Sequence, residues 1–185
     1  MGKYISLGEI LKVIKAQFIV SVIAMFFGML FIGFSATGFS KYIFSIVFIL
    51  FNILSLYNAS YEIAIHNNKE YNDEKSFVFK GLFLGLGIVA VSVILYILYY
   101  FTWKCDIVTY SSGFINNLIF IAWNYPFNNF LNPNNGIVSV AGVAVEVIVI
   151  SGTCFFGYFA GIKKFDLSQK VTKIVYDNKD NEENE

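Results

Sequence analysis

Residues 18–34 read FIVSVIAMFFGMLFIGF, an apolar run interrupted only by Ser21 and two glycines. With its flanks, Ala16 to Thr37, it reaches the roughly 20 residues a helix needs to cross a bilayer core of about 30 Å. Three more runs of the same character follow, at about residues 42–65, 79–103 and 137–162. The sequence predicts an all-α, polytopic transmembrane four-helix bundle. Lysines precede the first run, so a cleaved signal peptide is the alternative there. Its apolar stretch exceeds the 7–15 residues of a typical h-region, and Phe34-Ser35-Ala36 makes a poor cleavage site, so a retained span is expected.

Composition points the same way. Of 185 residues, 57% are hydrophobic, 19% aromatic and only 14% charged, whereas soluble domains carry about 25% charged residues. Most of the surface must face something other than water, and the bilayer is the expected partner. The 13 cations and 13 acids balance, which removes the basic footprint that nucleic-acid binding requires. Arginine is absent while Asn, Ile, Phe and Tyr are abundant, a bias that fits an AT-rich bacterial genome and hence a bacterial cell membrane.

Lysine placement predicts orientation. Lys3, Lys12 and Lys15 precede the first span, Lys69, Lys75 and Lys80 lie between or at the facing ends of the second and third, and Lys163, Lys164, Lys170, Lys173 and Lys179 follow the fourth. Only Lys41 and Lys104 remain for the other side. Such asymmetry places both termini in the cytoplasm under the positive-inside rule.

Residues 104–136 decide the number of spans. LIFIAW at 118–123 is too short to cross, and a crossing there would carry the five carboxyl-terminal lysines outside. The segment is expected to be an outer loop dipping into the interface, with Trp123 and Tyr125 at headgroup depth. A re-entrant segment packed among the helices is the alternative, since irregular backbone is tolerated at depth when buried in protein.

The chain ends have their own pattern. Ser6 and Glu9 have capping-box spacing, opening an amphipathic helix over residues 1–15. There Leu7, Ile10, Leu11, Ile14 and Phe18 share one face, and Glu9, Lys12 and Lys15 take the other. Residues 163–176 repeat the theme, with Asp166 as cap and Leu167, Val171, Ile174 and Val175 in a stripe. Both are expected to be interfacial helices on an anionic leaflet, with docking of a protein partner as the rarer use. Residues 177–185, DNKDNEENE, hold five acids and no apolar residue, a composition that predicts a solvated, disordered tail.

Few residues are equipped for chemistry. One histidine, His66, and two cysteines, Cys105 and Cys154, exclude a two-imidazole mechanism and a cysteine-built metal site. The cysteines fall about 25 Å apart along the membrane normal, too far for a disulfide. Glu62, His66 and Glu70 stack at helical spacing and contain metal-ligand types, yet an ordinary helix end explains them better. No nucleophile–base pair, paired acids or metal cluster emerges. Neither enzymatic activity nor a cofactor is expected.

Glu146 stands out because it falls near the middle of the fourth span, where an acid is a functional candidate by default. Asn52, at similar predicted depth on the second span, is its expected partner. Ser45, Asn52, Ser55, Ala59 and Glu62 form a polar or small stripe there, with Asn58 on its edge; Gly142, Glu146, Thr153, Gly157 and Ala160 share a face of the fourth span. The candidate intramembrane site is Glu146, Asn52, Ser55, Asn58, Glu62 and Thr153. Such faces serve either to glue helices by hydrogen bonds or to line a proton, ion or solute path. Gly81, Gly85 and Ser92 on the third span, and Ser21, Ala24 and Gly28 on the first, are expected to be packing surfaces.

Tyr61–Glu74 followed by Lys80-Gly81-Leu82, then Gly157–Lys163 (GYFAGIK) and Lys173-Ile174-Val175-Tyr176, resemble segments of uncharacterised four-span membrane proteins of low-GC Gram-positive bacteria. The resemblance covers most of the chain and implies a membrane address without an activity. Short loops and amphipathic ends favour a non-enzymatic accessory or regulatory subunit, with a protein partner or a second copy as company. The alternative is a small transporter or channel protomer using Glu146 and the polar face of the second span.

Overall fold

The structure, a computed structural model, describes residues 5–31, 39–67, 77, 79–105, 111–132 and 136–163. The described chain is all-α. Four long helices, α1 (Leu7–Leu30), α2 (Ser40–Asn67), α3 (Lys80–Lys104) and α6 (Val140–Ile162), are each long and apolar enough to cross a membrane. Between α3 and α6 lie α4 (Ser111–Trp123), a 3-10 turn (Tyr125–Phe127) and the short α5 (Asn128–Leu131).

The long helices follow from uninterrupted apolar sequence with caps at the ends. Ser6 and Glu9 make the expected capping box, with Ser6 N–H donating to Glu9 Oε2 at 2.8 Å and Glu9 N–H to Ser6 Oγ at 3.3 Å. That cap opens one continuous helix to Leu30, so the amphipathic segment expected to end at residue 15 runs without a break into the first span. Ser139 Oγ caps α6 by accepting from Gly142 N–H at 3.3 Å.

Small residues set the packing of α6 between α2 and α3. A Cβ on Gly157 would lie 2.5 Å from the Tyr57 carbonyl oxygen, and one on Gly161 2.7 Å from that of Tyr61. These positions advance together, so α2 and α6 run parallel, in touch backbone to backbone. On the other side Gly81 meets Cys154 and Tyr158 while Gly85 meets Ile150 and Ser151, the antiparallel arrangement. The outer surface is apolar all round: Phe26, Leu54, Ile94 and Phe156 are exposed, and Ile148 is 70% exposed. In water such a girdle would aggregate; in a bilayer it is the lipid face. The chain is an integral membrane protein.

Two expectations need correction. The start of α1 does not divide into faces as expected: Leu7, Leu11 and Phe18 are exposed, whereas Glu9, Val13, Gln17 and Val20 are buried. Of the side expected to meet water only Glu9 turns into the bundle, where it finds hydrogen-bonding partners, while Lys12 and Lys15 stay exposed.

The segment 111–131 is the second. It is a hairpin inserted among the helices, the arrangement of the re-entrant alternative, and Trp123 lies level with the midpoint of α3. Asn116 Nδ2 donates to Thr102 Oγ1 at 3.4 Å near one end of α3, and Trp123 Nε1 donates to Ser92 Oγ at 2.9 Å. From Thr102 to Ser92 is a descent of about 15 Å along α3. The chain then turns, with Asn128 Nδ2 donating back to Ile121 O at 3.0 Å, and Asn129 Nδ2 bonding Lys41 O and Ser45 Oγ, both at 2.8 Å. Asn132 ends α5 in the left-handed conformation (φ 45°), and Ser139 N–H closes the return on Leu131 O at 2.8 Å. Buried N–H and hydroxyl groups without water must find protein partners, and mid-helix serines supply them. The expected helix over 163–176 and the tail 177–185 lie outside the described residues.

Candidate functional site

Ser92 lies twelve residues from either end of α3, about 18 Å along the axis, and the polar cluster of the bundle is built around it. Its hydroxyl accepts from Trp123 Nε1, lies 3.4 Å from Asn124 Oδ1, and is hydrogen-bonded to the Glu146 carboxyl. Glu146 is 4% exposed and its Oε1 has no partner. From α1, Ser21 Oγ donates to the Trp123 carbonyl at 2.6 Å and receives Gln17 Nε2 at 3.4 Å. Three of the long helices thus converge on the tip of the hairpin. A cavity of about 40 Å³, lined by Glu146, Ser92 and Asn124 among Val, Tyr, Phe and Leu side chains, opens beside them.

Hydrogen-bond counting gives this cluster two arrangements. A serine hydroxyl has one proton to donate and two lone pairs. One lone pair of Ser92 is taken by the Trp123 indole. If Ser92 donates to Asn124, the remaining lone pair accepts a proton held by Glu146. If Glu146 gives that proton up, Ser92 must turn its own proton to the carboxylate, and the buried Asn124 oxygen loses its donor. Loading and unloading a proton on Glu146 is therefore tied to the hairpin tip.

Asn52 is not the partner of Glu146. The parallel register of Gly157 against Tyr57, extended along both helices, sets Glu146 beside the turn of Ser45 and Ile46. Asn52 is six residues further on, about 9 Å. It is fully buried, and neither Nδ2 nor Oδ1 has a partner. The other candidates scatter. Ser55 and Asn58 face a groove between α1 and α2, shared with Phe27 and Phe48; Glu62 is exposed and paired to Lys12 at 2.7 Å; Thr153 is buried in α6. The six residues do not form one site.

A second cluster was not expected. At the Leu7 end of the bundle Lys80, fully buried, donates to Glu9 Oε1 at 2.7 Å. Asn67 Nδ2 reaches the same oxygen at 2.5 Å and the Tyr158 hydroxyl at 3.4 Å. One carboxylate thereby ties α1 to α2 and α3, with α6 joined through Tyr158. Among the described residues no group of three or more His, Cys, Asp or Glu is arranged for a metal ion; Glu70, expected to stack with Glu62 and His66, lies outside them.

Sequence reading assigned Ser92 to packing and Glu9 to a water-facing side, and so missed both clusters. The usable signal was the isolated polar residue on an otherwise apolar face: Gln17, Ser21 and Ser92 are each buried, and in hydrocarbon each must meet a partner. Comparison with protein-family models, curated proteins and solved structures finds no match.

Proposed function

We propose that this membrane protein is a small transporter or channel protomer, in which Glu146 is the group that loads and the hairpin 111–131 covers it. The observation carrying this is Glu146 itself: a buried acid on α6 held against the midpoint of α3, with one unpartnered oxygen, bordering a small, mainly apolar cavity under the hairpin tip. A carboxyl serving only to glue helices would have both oxygens engaged, because an unsatisfied buried acceptor costs about 1–3 kcal/mol. The protein is read as non-enzymatic and as resident in a bacterial cell membrane with both termini cytoplasmic, supported by the lysine distribution. Four helices in contact enclose little space, which favours a homo-oligomer.

The accessory-subunit reading keeps one observation of its own. The groove between α1 and α2, with a volume of about 600 Å³, is lined by Phe27, Phe48 and Phe51 and also by Ser55 and the exposed Asn58. A polar amide facing lipid has no partner there, and a neighbouring helix would supply one.

Glu146→Gln separates the two. It keeps hydrogen bonding and cannot titrate. Reconstituted in vesicles, the variant is expected to stay folded and lose flux. Unchanged flux in a stable variant would end the transport reading. Reproducible co-purification of one membrane protein, lost in Asn58→Leu, would establish the accessory reading instead.

A further inference from the structure

Among the described residues ten buried polar side-chain atoms have no protein partner; Gln17 Oε1, Trp103 Nε1, Asn117 Oδ1 and Asn128 Oδ1 lie on α1, α3 and the hairpin, and the other six line up along the facing helices α2 and α6. Glu146 Oε1, Ser151 Oγ, both amide atoms of Asn52, Ser60 Oγ and Asn67 Oδ1 lack a geometric hydrogen bond, and each residue is more than nine-tenths buried. The parallel register of α2 and α6 orders them from the hairpin tip towards the Leu7 end. Ser151 and Asn52 share a level about 8 Å beyond Glu146, Ser60 follows about 12 Å further, and Asn67 about 10 Å after that. Thr153, the Cys154 thiol beside Ser60, and the Tyr158 hydroxyl bonded to Asn67 occupy the intervals. The column ends on the Glu9–Lys80 pair.

Buried polar groups without protein partners are ordinarily met by internal water, each water making about three hydrogen bonds. Protein interiors tolerate few unmet groups, so five residues in line mark a row of water sites. We infer that water in this column connects Glu146 to Glu9 and that the species carried is the proton. This rests on the transport reading and names its substrate. The packing argues for the proton over a larger ion. Gly157 and Gly161 hold α6 against the backbone of α2, and Gly81 and Gly85 hold it against α3. That contact leaves no room for a hydrated cation within one chain, whereas a proton needs only successive donors and acceptors. Each step is a transfer along a hydrogen bond made by that water: a proton taken up by Glu146 at one end is matched by one released from the water at the Glu9 end.

The test uses full-length protein in vesicles enclosing a pH-sensitive dye, with a potassium gradient and valinomycin to set the potential. Rubidium and sodium uptake are measured in parallel. Potential-driven acidification above that of empty vesicles is expected. It should fall about tenfold or more in Asn52→Leu, which removes one relay, while the thermal midpoint is unchanged or higher, since an unmet amide is gone. If Asn52→Leu does not fold, Ser60→Ala with Ser151→Ala removes two relay hydroxyls and carries the same expectation. Proton flux undiminished in the folded variants overturns the column. Rubidium or sodium flux that depends on Glu146, without proton flux, overturns the proton and leaves the transport reading standing. No flux of any of these ions overturns both.

Discussion

The Trp123 indole donates to the Ser92 hydroxyl at 2.9 Å, fastening the tip of the inserted hairpin to the midpoint of α3. Ser92 also meets Glu146 and Asn124, so one hydroxyl serves three buried partners. Removing it in Ser92→Ala leaves the indole N–H and the Asn124 oxygen unmet, each at about 1–3 kcal/mol. A clear fall in the thermal unfolding midpoint in detergent is expected, with Ser92→Thr retaining most of the parent value. Equal midpoints for Ser92→Ala and the parent would show that the hairpin is held by its apolar contacts alone.

The Glu9–Lys80 pair predicts an asymmetry between single and double substitutions. Breaking a buried pair from one side strands a charge and costs about 3–5 kcal/mol. Glu9→Gln and Lys80→Met should each unfold well below the parent, and Glu9→Leu with Lys80→Met should recover much of the loss. The Lys12–Glu62 pair has 46% and 64% of its side chains exposed, so Glu62→Gln should change stability by less than about 1 kcal/mol. Urea titration in mild detergent ranks the four, and additive single losses in the double variant would rule out a coupled pair.

Close contact of α6 with α2 makes a sharp positional prediction. Gly157→Val places a side chain against the Tyr57 backbone, which cannot yield, whereas Gly152 has open space around it. Gly157→Val should fail to accumulate as folded protein, and Gly152→Ala should be indistinguishable from the parent. Fluorescence-detected size exclusion of tagged variants reads both. A folded Gly157→Val would mean that α2 and α6 are not in backbone contact.

The native cysteines report topology without engineering. Cys105 is exposed just past the end of α3, and Cys154 is buried. With both termini cytoplasmic, an impermeant maleimide applied to intact cells should label the parent once, and labelling should vanish in Cys105→Ser. Lys163→Cys in a Cys105→Ser background should react only after permeabilisation. The reverse pattern would invert the orientation drawn from the lysines.

The four spans were legible because a run of about 20 apolar residues has few other uses. The capping box at Ser6 and Glu9 was legible because it is local. What escaped was pairing across helices. Hydropathy gives the depth of Glu146 along its own helix, but helix register is set by which glycines meet which carbonyls. That is how Ser92 rather than Asn52 came to lie beside Glu146. Glu9 was misread for a related reason: it shares a helix side with the exposed Lys12 and Lys15, and only the partners across the bundle, Lys80 and Asn67, turn it inward. Residues 118–123 were too short and too apolar to classify, because a re-entrant strand of helix and an interfacial loop share that composition. The deciding groups, the Trp123 carbonyl and indole, find partners only in three dimensions.

The hairpin's seat against α1 can be tested from both sides of one contact. A Cβ on Gly28 would overlap the Tyr125 ring and hydroxyl, so Gly28→Ala forces the turn at Tyr125–Phe127 to move. Overpacking of this kind costs about 1–3 kcal/mol. If the contact is what holds the hairpin down, shortening the partner should relieve it: Gly28→Ala with Tyr125→Val should be more stable than the sum of the two single losses predicts. A double-mutant cycle on thermal midpoints measures that coupling, which for touching residues runs to about 0.5–3 kcal/mol. The functional consequence follows from the same displacement. Lifting the tip draws Trp123 from Ser92 and loosens the arrangement that ties Asn124 to the proton on Glu146. Gly28→Ala should therefore alter Glu146-dependent flux, and Tyr125→Val should restore it. Additive stabilities together with unchanged flux would show that the hairpin is seated by α3 and α6 and that α1 merely flanks it.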